Sequence, residues 1–116
     1  MPFFSVIMCN YNYGKYVAHA IESVLSQTFD DFELIIVDDG STDNSLELIS
    51  QFSDSRITLV SKKNGGQASA FNSGFEKSEG HWICLIDSDD WWLSSKLERV
   101  YEYIKVANQE YAIVQH

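Results

Sequence analysis

The chain is poor in proline, cysteine and basic residues, and no long uninterrupted apolar segment occurs in it. A single proline among 116 residues, 45% of them apolar, indicates a compact domain without a disordered linker. No apolar stretch approaches the roughly twenty residues of a membrane-spanning helix. The N-terminus lacks the charged leader and the cleavage site of a secretion signal. We therefore expect one domain over residues 1–116, located in the cytoplasm.

Charge and cysteine content restrict the partners further. Acidic side chains outnumber basic ones by 17 to 8, and the net charge of −9 disfavours nucleic acid or an anionic membrane as a partner. Small phosphorylated ligands bound through a metal ion remain compatible with this charge. Cys9 and Cys84 lie inside predicted strands, so we expect buried, reduced thiols.

Strand and helix patterns alternate along the whole chain. Short apolar runs predict strands over residues 4–9, 32–37, 56–61 and 82–86, with a fifth beginning over 111–114. Apolar residues at helical spacing predict helices over 16–27 and 93–106, a helix carrying Leu46, Ile49 and Phe52, and a helix through Phe71 and Phe75. This alternation predicts an α/β fold, with a parallel sheet and helices on both of its faces.

Two acidic clusters stand directly after two of these strands. Asp38-Asp39 follows the second strand, and Asp87-Ser88-Asp89-Asp90 follows the fourth. Because ligands of such sheets bind beyond the carboxyl ends of the strands, we expect loops 9–14, 38–43 and 87–92 to share one rim. Converging carboxylates repel one another, so we also expect a divalent cation with oxygen ligands and a phosphate nearby.

Four segments of the chain resemble family-2 glycosyltransferases, which are nucleotide-sugar-dependent enzymes of the GT-A fold. In chain order they are residues 5–12, 37–43, 64–74 and 87–90. The resemblance covers nearly the whole chain and implies a Rossmann-like GT-A sheet, mostly parallel. It further implies the N-terminal, nucleotide-sugar-binding portion of the domain, truncated before the second half. Phe71 stands where the family most often has arginine, and we expect it to pack into the core.

The resemblance also implies roles for particular residues. The aspartate matching Asp39 accepts a hydrogen bond from a uracil-type base, which favours UDP- or dTDP-sugars because cytosine lacks that donor. Asp87-Ser88-Asp89 resembles the DxD motif of the family, in which Asp89 is the ligand of Mn²⁺ or Mg²⁺. The nucleotide-sugar contacts implied in this way are Cys9, Tyr11, Asp39, Asn64, Gly66, Gln67, Asp87 and Ser88.

Structural roles remain open for several of these and neighbouring residues. Asp38 and Asp39 also fit turn or capping positions, and Gln67 also fits an ordinary surface position. The pair Lys62-Lys63 fits a solvated turn better than a phosphate contact. Of the pair Trp91-Trp92, we expect one ring to be buried and the other to line a sugar or acceptor pocket.

The implied activity is metal-dependent, inverting transfer of a sugar to a hydroxyl of a glycan or lipid-linked acceptor, as in polysaccharide biosynthesis. The general base for that transfer is expected downstream of His116. We therefore expect this segment to bind the donor but to transfer little or nothing alone. The full-length enzyme could lie at the inner face of the membrane. An uncovered sheet edge predicts self-association of the segment.

Two other classes of protein share parts of this pattern. A non-catalytic nucleotide-sugar-binding or interaction module could use the same fold, and downstream sequence with an acidic base motif would favour the enzyme instead. A response-regulator receiver has a similar length, but its acidic pair should follow the first strand and a lysine should follow the fifth. Here Asn10-Tyr11-Asn12 follows the first strand, and Gln115-His116 ends the fifth.

Overall fold

The structure, a computed structural model, describes residues 1–107 and the backbone of residues 113–115. Strands and helices alternate in this part of the chain. In order they are β1 (Phe4–Asn10), α1 (Gly14–Leu25), β2 (Phe32–Asp39), α2 (Ser45–Ser50), β3 (Ile57–Lys62), α3 (Gln67–Lys77), β4 (Trp82–Asp87), α4 (Lys96–Val106) and β5 (Ile113–Gln115). None of the described helices is both long and apolar enough to cross a membrane.

The sheet has the strand order β3-β2-β1-β4-β5, and every strand pair in it is parallel. The chain therefore moves outward from β1 in one direction through β2 and β3, and then in the other direction through β4 and β5. Such a reversal between β1 and β4 creates a crevice outside the carboxyl ends of the strands. The predicted α/β sheet is confirmed, and its order differs from the 2-1-3-4-5 order of receiver-type folds.

Alternate residues of β1 face two different apolar layers. Phe4, Val6 and Met8 pack with buried residues of α1, α2 and α4 on one face of the sheet. Ile7 and Cys9 pack on the other face, where α3 contributes Ala70. Because both faces are covered there, β1, β2 and β4 contain continuous apolar runs in the sequence. The helices therefore lie on both faces, as predicted, and the carboxyl ends of the strands stay open.

Several boundaries differ from the sequence prediction. β1, β2 and β4 each continue into the polar residues that were assigned to loops, ending at Asn10, Asp39 and Asp87. Parallel pairing extends this far because Asn10 is in register with Asp38 and Cys9 with Asp87. α4 begins at Lys96 rather than at residue 93. Of the predicted fifth strand, residues 111–112 lie outside the described residues.

Gly74 lets α3 approach the sheet closely, and this contact gives a test of the fold. A Cβ atom added at Gly74 would lie 2.6 Å from Ile7 Cγ2 and 3.2 Å from Val37 Cγ2, both in the buried layer. We expect Gly74→Ala to lower the free energy of unfolding by about 1–3 kcal/mol, because the steric cost of the added Cβ exceeds the gain in helix propensity. Urea denaturation measures this change in the free energy of unfolding, and Glu76→Ala on the exposed side of α3 serves as the control. Equal midpoints for the two variants would contradict this packing.

Candidate functional site

A pocket of about 340 Å³ opens at the carboxyl ends of the strands. It is lined by residues from the ends of β1, β2 and β4 and from the loop that enters α3: Cys9, Asn10, Tyr11, Tyr13, Asp39, Asn64, Gly66, Gln67, Ala70, Asp87 and Asp89. The structure thus brings together eight of the nine residues predicted for donor and metal binding. Ser88 is the ninth, and it does not line the pocket.

Asp39 forms one end of the pocket, and both of its carboxylate oxygens accept hydrogen bonds from the protein. Its Oδ1 accepts hydrogen bonds from Lys62 Nζ (2.8 Å) and Gly65 N (3.0 Å). Its Oδ2 accepts from Gly66 N (3.0 Å) and, over a longer 3.3 Å, from Asn64 Nδ2. Four donors match the lone-pair capacity of a carboxylate. Burial alone would raise the pKa of Asp39, but the bonds from Lys62, Gly65 and Gly66 hold this pKa below its ordinary value of 3.8.

Lys62 was expected in a solvated turn, and the structure contradicts that expectation. It is the last residue of β3, its side chain is only 19% exposed, and its ammonium group pairs with Asp39 and also donates to the Lys63 carbonyl at 2.7 Å. Lys62 and Asp39 are in register on neighbouring strands. A register assignment for β2 and β3 would therefore have revealed the pair, whereas the local sequence Lys62-Lys63 could not.

The glycines after Lys62 shape the same end of the pocket. Gly66 has φ of +95°, in the region that favours glycine, and this backbone conformation directs its N–H at Asp39 Oδ2. Gly40, with φ of +77°, has the backbone nitrogen of Asn64 only 2.6 Å from where a Cβ would stand. Both positions therefore hold the loop before α3 close against the end of β2.

Asp87 and Asp89 form the opposite, acidic end of the pocket. Burial, followed by the nearby charges of Asp89 and Asp90, raises the pKa of Asp87, and a 2.9 Å hydrogen bond from Gln67 Nε2 opposes that rise. Such crowding of like charges is relieved by a cation. No group of three or more His, Cys, Asp and Glu side chains in residues 1–107 is arranged to hold a metal. One or two carboxylates completed by phosphate and water oxygens is the coordination that Mg²⁺ and Mn²⁺ accept, so the donor set fits.

Asp38 and Ser88 are buried below the pocket, and Asn10, which lines it, connects their side chains. Ser88 is fully buried, and its hydroxyl donates to Asn10 Oδ1 at 2.7 Å. Asp38 is also fully buried and accepts hydrogen bonds from Asn10 Nδ2 and from the backbone N–H of Ser41, as in a turn. The turn role left open for Asp38 is the one the structure shows. Sequence reasoning missed Asn10, although its place at the end of β1 was a signal.

The aromatic residues near the rim divide between pocket and surface. Tyr11 lines the pocket as predicted, and so does Tyr13, which sequence reasoning had passed over. Trp92 is buried, whereas Trp91 is 53% exposed and stacks on His19 with ring centroids 5.9 Å apart. Trp91 is not among the residues that line the described pocket, and its predicted contact with a sugar or acceptor stays a prediction. Phe71 packs, partly buried, against the layer beneath α3, as expected.

The two cysteines give a prediction about thiol reactivity. Burial, together with Asp87 and Asp39, raises the pKa of the Cys9 thiol to about 12, and burial raises the pKa of Cys84 to about 12. Thiolate is the reactive form, so at pH 8 we expect native thiols to react with Ellman's reagent at least a hundredfold more slowly than unfolded ones. Stopped-flow absorbance with and without guanidinium tests this. Rapid reaction of either native thiol would contradict the raised pKa values.

A parallel sheet with an acidic pocket at its switch point defines a ligand-binding α/β domain. The sequence model of the family described as glycosyl transferase family 2 matches residues 5–116. The chain belongs to this family.

Relatives in sequence carry names that agree with the family. An uncharacterized glycosyltransferase from Nostoc sp. is 44% identical over 107 residues, which cover 90% of this chain and 33% of that protein. The Escherichia coli protein WfgD, named UDP-Glc:alpha-D-GlcNAc-diphosphoundecaprenol beta-1,3-glucosyltransferase, is 41% identical over 95 residues, covering 81% of this chain and 38% of the relative. The chain thus spans about a third of the length of such relatives.

Solved structures of glycosyltransferases share the fold. Staphylococcus aureus TarS 1–349 in complex with UDP-GlcNAc superposes with a TM-score of 0.86 at 29% identity, covering 91% of this chain and 32% of that 1–349 chain. The mannosyltransferase PcManGT from Pyrobaculum calidifontis, solved with GDP-Man and Mn²⁺, gives a TM-score of 0.82 at 22% identity over 89% of this chain and 32% of that one. At 22% identity, the similarity to PcManGT shows a shared fold only. Together they agree with the predicted GT-A sheet.

Proposed function

We propose that this chain is the donor-binding portion of an inverting glycosyltransferase that uses a UDP- or dTDP-sugar and acts on a glycan or lipid-linked acceptor. The observation that carries the proposal is one pocket lined by Asp39 from the end of β2 and by Asp87 and Asp89 from the end of β4, on the two sides of β1. A nucleoside diphosphate has a base at one end and two phosphates at the other, which is the same division of chemistry. The UDP-GlcNAc complex of TarS, 29% identical to this chain, supports the choice of a uracil nucleotide.

The base would lie at the Asp39 end, against Tyr11. Asp39 already accepts four hydrogen bonds, so the imide N–H of the base must replace one donor. Asn64 Nδ2 is the candidate because its 3.3 Å separation from Oδ2 is the longest of the four. The displaced amide can then donate to a carbonyl oxygen of the base. Uracil, thymine and guanine all offer an N–H beside a carbonyl, whereas cytosine lacks the ring N–H.

The diphosphate would lie at the acidic end, where Asp89 would hold a Mn²⁺ or Mg²⁺ ion. Such an ion, when bound, neutralises charge on the departing nucleoside diphosphate. Asp87 would contact the ribose, and Gln67 Nε2 donates a 2.9 Å hydrogen bond to its carboxylate. These residues bind and orient the donor. We assign removal of the acceptor proton to a carboxylate in the second half of the domain.

Calorimetric titration of the chain with UDP, dTDP, GDP and CDP, each with and without Mn²⁺, tests this function. We expect UDP or dTDP to bind in the presence of Mn²⁺, CDP to bind at least tenfold more weakly, and metal-free titrations to give little heat. GDP is the informative competitor because guanine carries the same N–H and carbonyl pair. Absence of binding by all four nucleotides, both in this chain and in a longer chain with the second half of the domain, would refute the proposal.

A further inference from the structure

A buried hydrogen-bond network joins the loops that surround the pocket. It consists of Asn10 at the end of β1, Asp38 and Ser41 after β2, and Ser88 after β4, and we refer to these four residues as the rim network. Asn10 Nδ2 donates to Asp38 Oδ1 (2.9 Å) and to Ser41 Oγ (3.2 Å), and Ser88 Oγ donates to Asn10 Oδ1 (2.7 Å). Asn10 is 1% exposed, and Asp38 and Ser88 are fully buried.

The chemistry of the groups fixes the direction of every bond in the rim network. A carboxylate only accepts hydrogen bonds, so the Asn10 amide turns its NH₂ group towards Asp38. The Asn10 carbonyl oxygen consequently faces Ser88, which must donate. Ser41 completes the arrangement, because its hydroxyl donates to Asp38 Oδ1 (2.7 Å) and its backbone N–H donates to Asp38 Oδ2 (3.0 Å). A network satisfied in this way specifies one arrangement of its members.

Ser88 connects the rim network to the acidic end of the pocket. Its neighbours in the chain, Asp87 and Asp89, both line the pocket, whereas its own side chain is buried in the opposite direction. Its backbone N–H also donates to the Cys9 carbonyl at 3.2 Å. Two hydrogen bonds therefore attach the acidic loop to the last residues of β1, one through the Ser88 side chain and one through its backbone.

We propose that Asn10 and Ser88 are positioning residues, which hold Asp87 and Asp89 at a fixed distance from the base-binding end of the pocket. Asp38 is the neighbour of Asp39 in the chain, so the rim network runs from beneath the base end to beneath the acidic end. Ser88 then acts from below the pocket, and does not contact the nucleotide. This inference rests on the proposed function for its ligand, but the position of the acidic loop can be measured without any ligand.

An exchange of two side chains offers a sharp test. In Asn10→Asp alone, two carboxylates would stand about 3 Å apart, and like charges at that distance repel strongly. In the double variant Asn10→Asp with Asp38→Asn, the new amide at 38 donates to the carboxylate at 10, which also accepts from Ser88 and Ser41. The double variant retains the net charge, the side-chain size and a partner for every group.

Ser88→Ala is the mild variant, and Ser5→Ala is its matched control. Ser5 is also fully buried on β1, and its hydroxyl bonds to Glu33 and Gly80 at the opposite end of the strand from the pocket. Both substitutions remove one buried hydroxyl. If the substitutions acted only by lowering global stability, hydrogen exchange in the acidic loop and UDP affinity would change equally in both variants. If Ser88 holds the acidic loop in position, these two quantities change only in Ser88→Ala.

The first measurement is amide hydrogen exchange, which needs no nucleotide. The N–H of residue 88 is bonded to Cys9, and that of Asp90 to the Asp87 carbonyl. We expect exchange at residues 88 and 90 to quicken about tenfold in Ser88→Ala and Asn10→Asp, to stay unchanged in Ser5→Ala, and to return to the wild-type rate in the double variant. Equal rates in Ser88→Ala and Ser5→Ala would overturn the proposal.

The second measurement is UDP affinity with and without Mn²⁺. We expect Ser88→Ala to lower the affinity for UDP with Mn²⁺ about tenfold, an effect of the size seen when the support of a metal ligand is removed, and to change metal-free affinity less than twofold. Equal losses with and without Mn²⁺ would mean that Ser88 does not act through the metal ligand Asp89, against the proposal. If the wild-type chain bound no nucleotide, the proposed function would fail, and the hydrogen exchange rates would still decide whether the network positions the loop.

Discussion

Asp39→Asn is expected to lower UDP affinity by at least tenfold and to lower the free energy of unfolding by about 3 kcal/mol. The substitution keeps the shape of the side chain but replaces one oxygen by an NH₂ group. That group would face donors, either Gly66 N–H or the Lys62 ammonium, instead of accepting from them. Lys62 would also lose its ion-pair partner while its side chain stays largely covered.

Two comparisons separate the contributions of charge and base contact in this prediction. Lys62→Met removes the ammonium group and leaves three donors on Asp39, so we expect a smaller loss of stability than in Asp39→Asn. The double variant should be more stable than the sum of the two single losses predicts, because no unpaired cation remains. Titration with UDP and CDP reports the base contact. If the ratio of UDP affinity to CDP affinity were the same in Asp39→Asn as in the wild type, Asp39 would not distinguish uracil from cytosine.

The pH dependence of stability provides an independent measure of Asp39. Its pKa in the folded chain lies below the ordinary value of 3.8 because the bonds from Lys62, Gly65 and Gly66 outweigh burial. The carboxylate therefore contributes stability that is complete above that ordinary value and is lost as the pH falls towards the folded-state pKa. Urea denaturation between about pH 5 and pH 2 should show a shallower loss of stability in Asp39→Asn than in the wild type. Parallel curves would contradict the assigned bonds.

The fold could be predicted from sequence because the inner strands β1, β2 and β4 are covered on both faces. Such strands leave continuous apolar runs, and the polar residues that end them mark the open edge of the sheet. The same logic located the pocket, since Tyr11, Asp39 and Asp87 each stand at or just beyond the carboxyl end of a strand. Strand ends were misjudged by one or two residues because pairing continues beneath the polar side chains, as between Asn10 and Asp38.

Contacts between strands were harder to predict because they depend on register and side-chain direction. Lys62 looks like a surface residue in the sequence Lys62-Lys63, but register places it beside Asp39. Ser88 lies between two pocket residues in the chain, and its side chain is nevertheless buried in the opposite direction. Local sequence therefore identified which loops form the site. It did not identify which residues of those loops support the others from beneath.

Asp89→Asn is expected to abolish the Mn²⁺-dependent part of UDP binding while leaving the fold intact. The substitution removes the charge from the residue assigned as metal ligand, and an amide oxygen is a much weaker ligand for Mn²⁺ than a carboxylate. Asp89 lines the pocket, and no hydrogen bond to its side chain occurs within the described residues, so little stability depends on it. We expect affinity for UDP with Mn²⁺ to fall about a hundredfold, and metal-free affinity to change less than twofold.

Asp90→Asn is the matched control for this variant. It removes the same charge from the same loop, and the Asp90 carboxylate accepts a hydrogen bond from the Trp91 N–H and does not line the pocket. If general repulsion among the acidic residues determined metal binding, the two variants would weaken it equally. If Asp89 is the ligand, only Asp89→Asn loses the metal-dependent binding. Unchanged binding in Asp89→Asn would mean that Asp89 is not the metal ligand and would leave Asp87 as the candidate. Because the pKa of Asp87 is raised, metal binding by Asp87 would weaken as the pH falls.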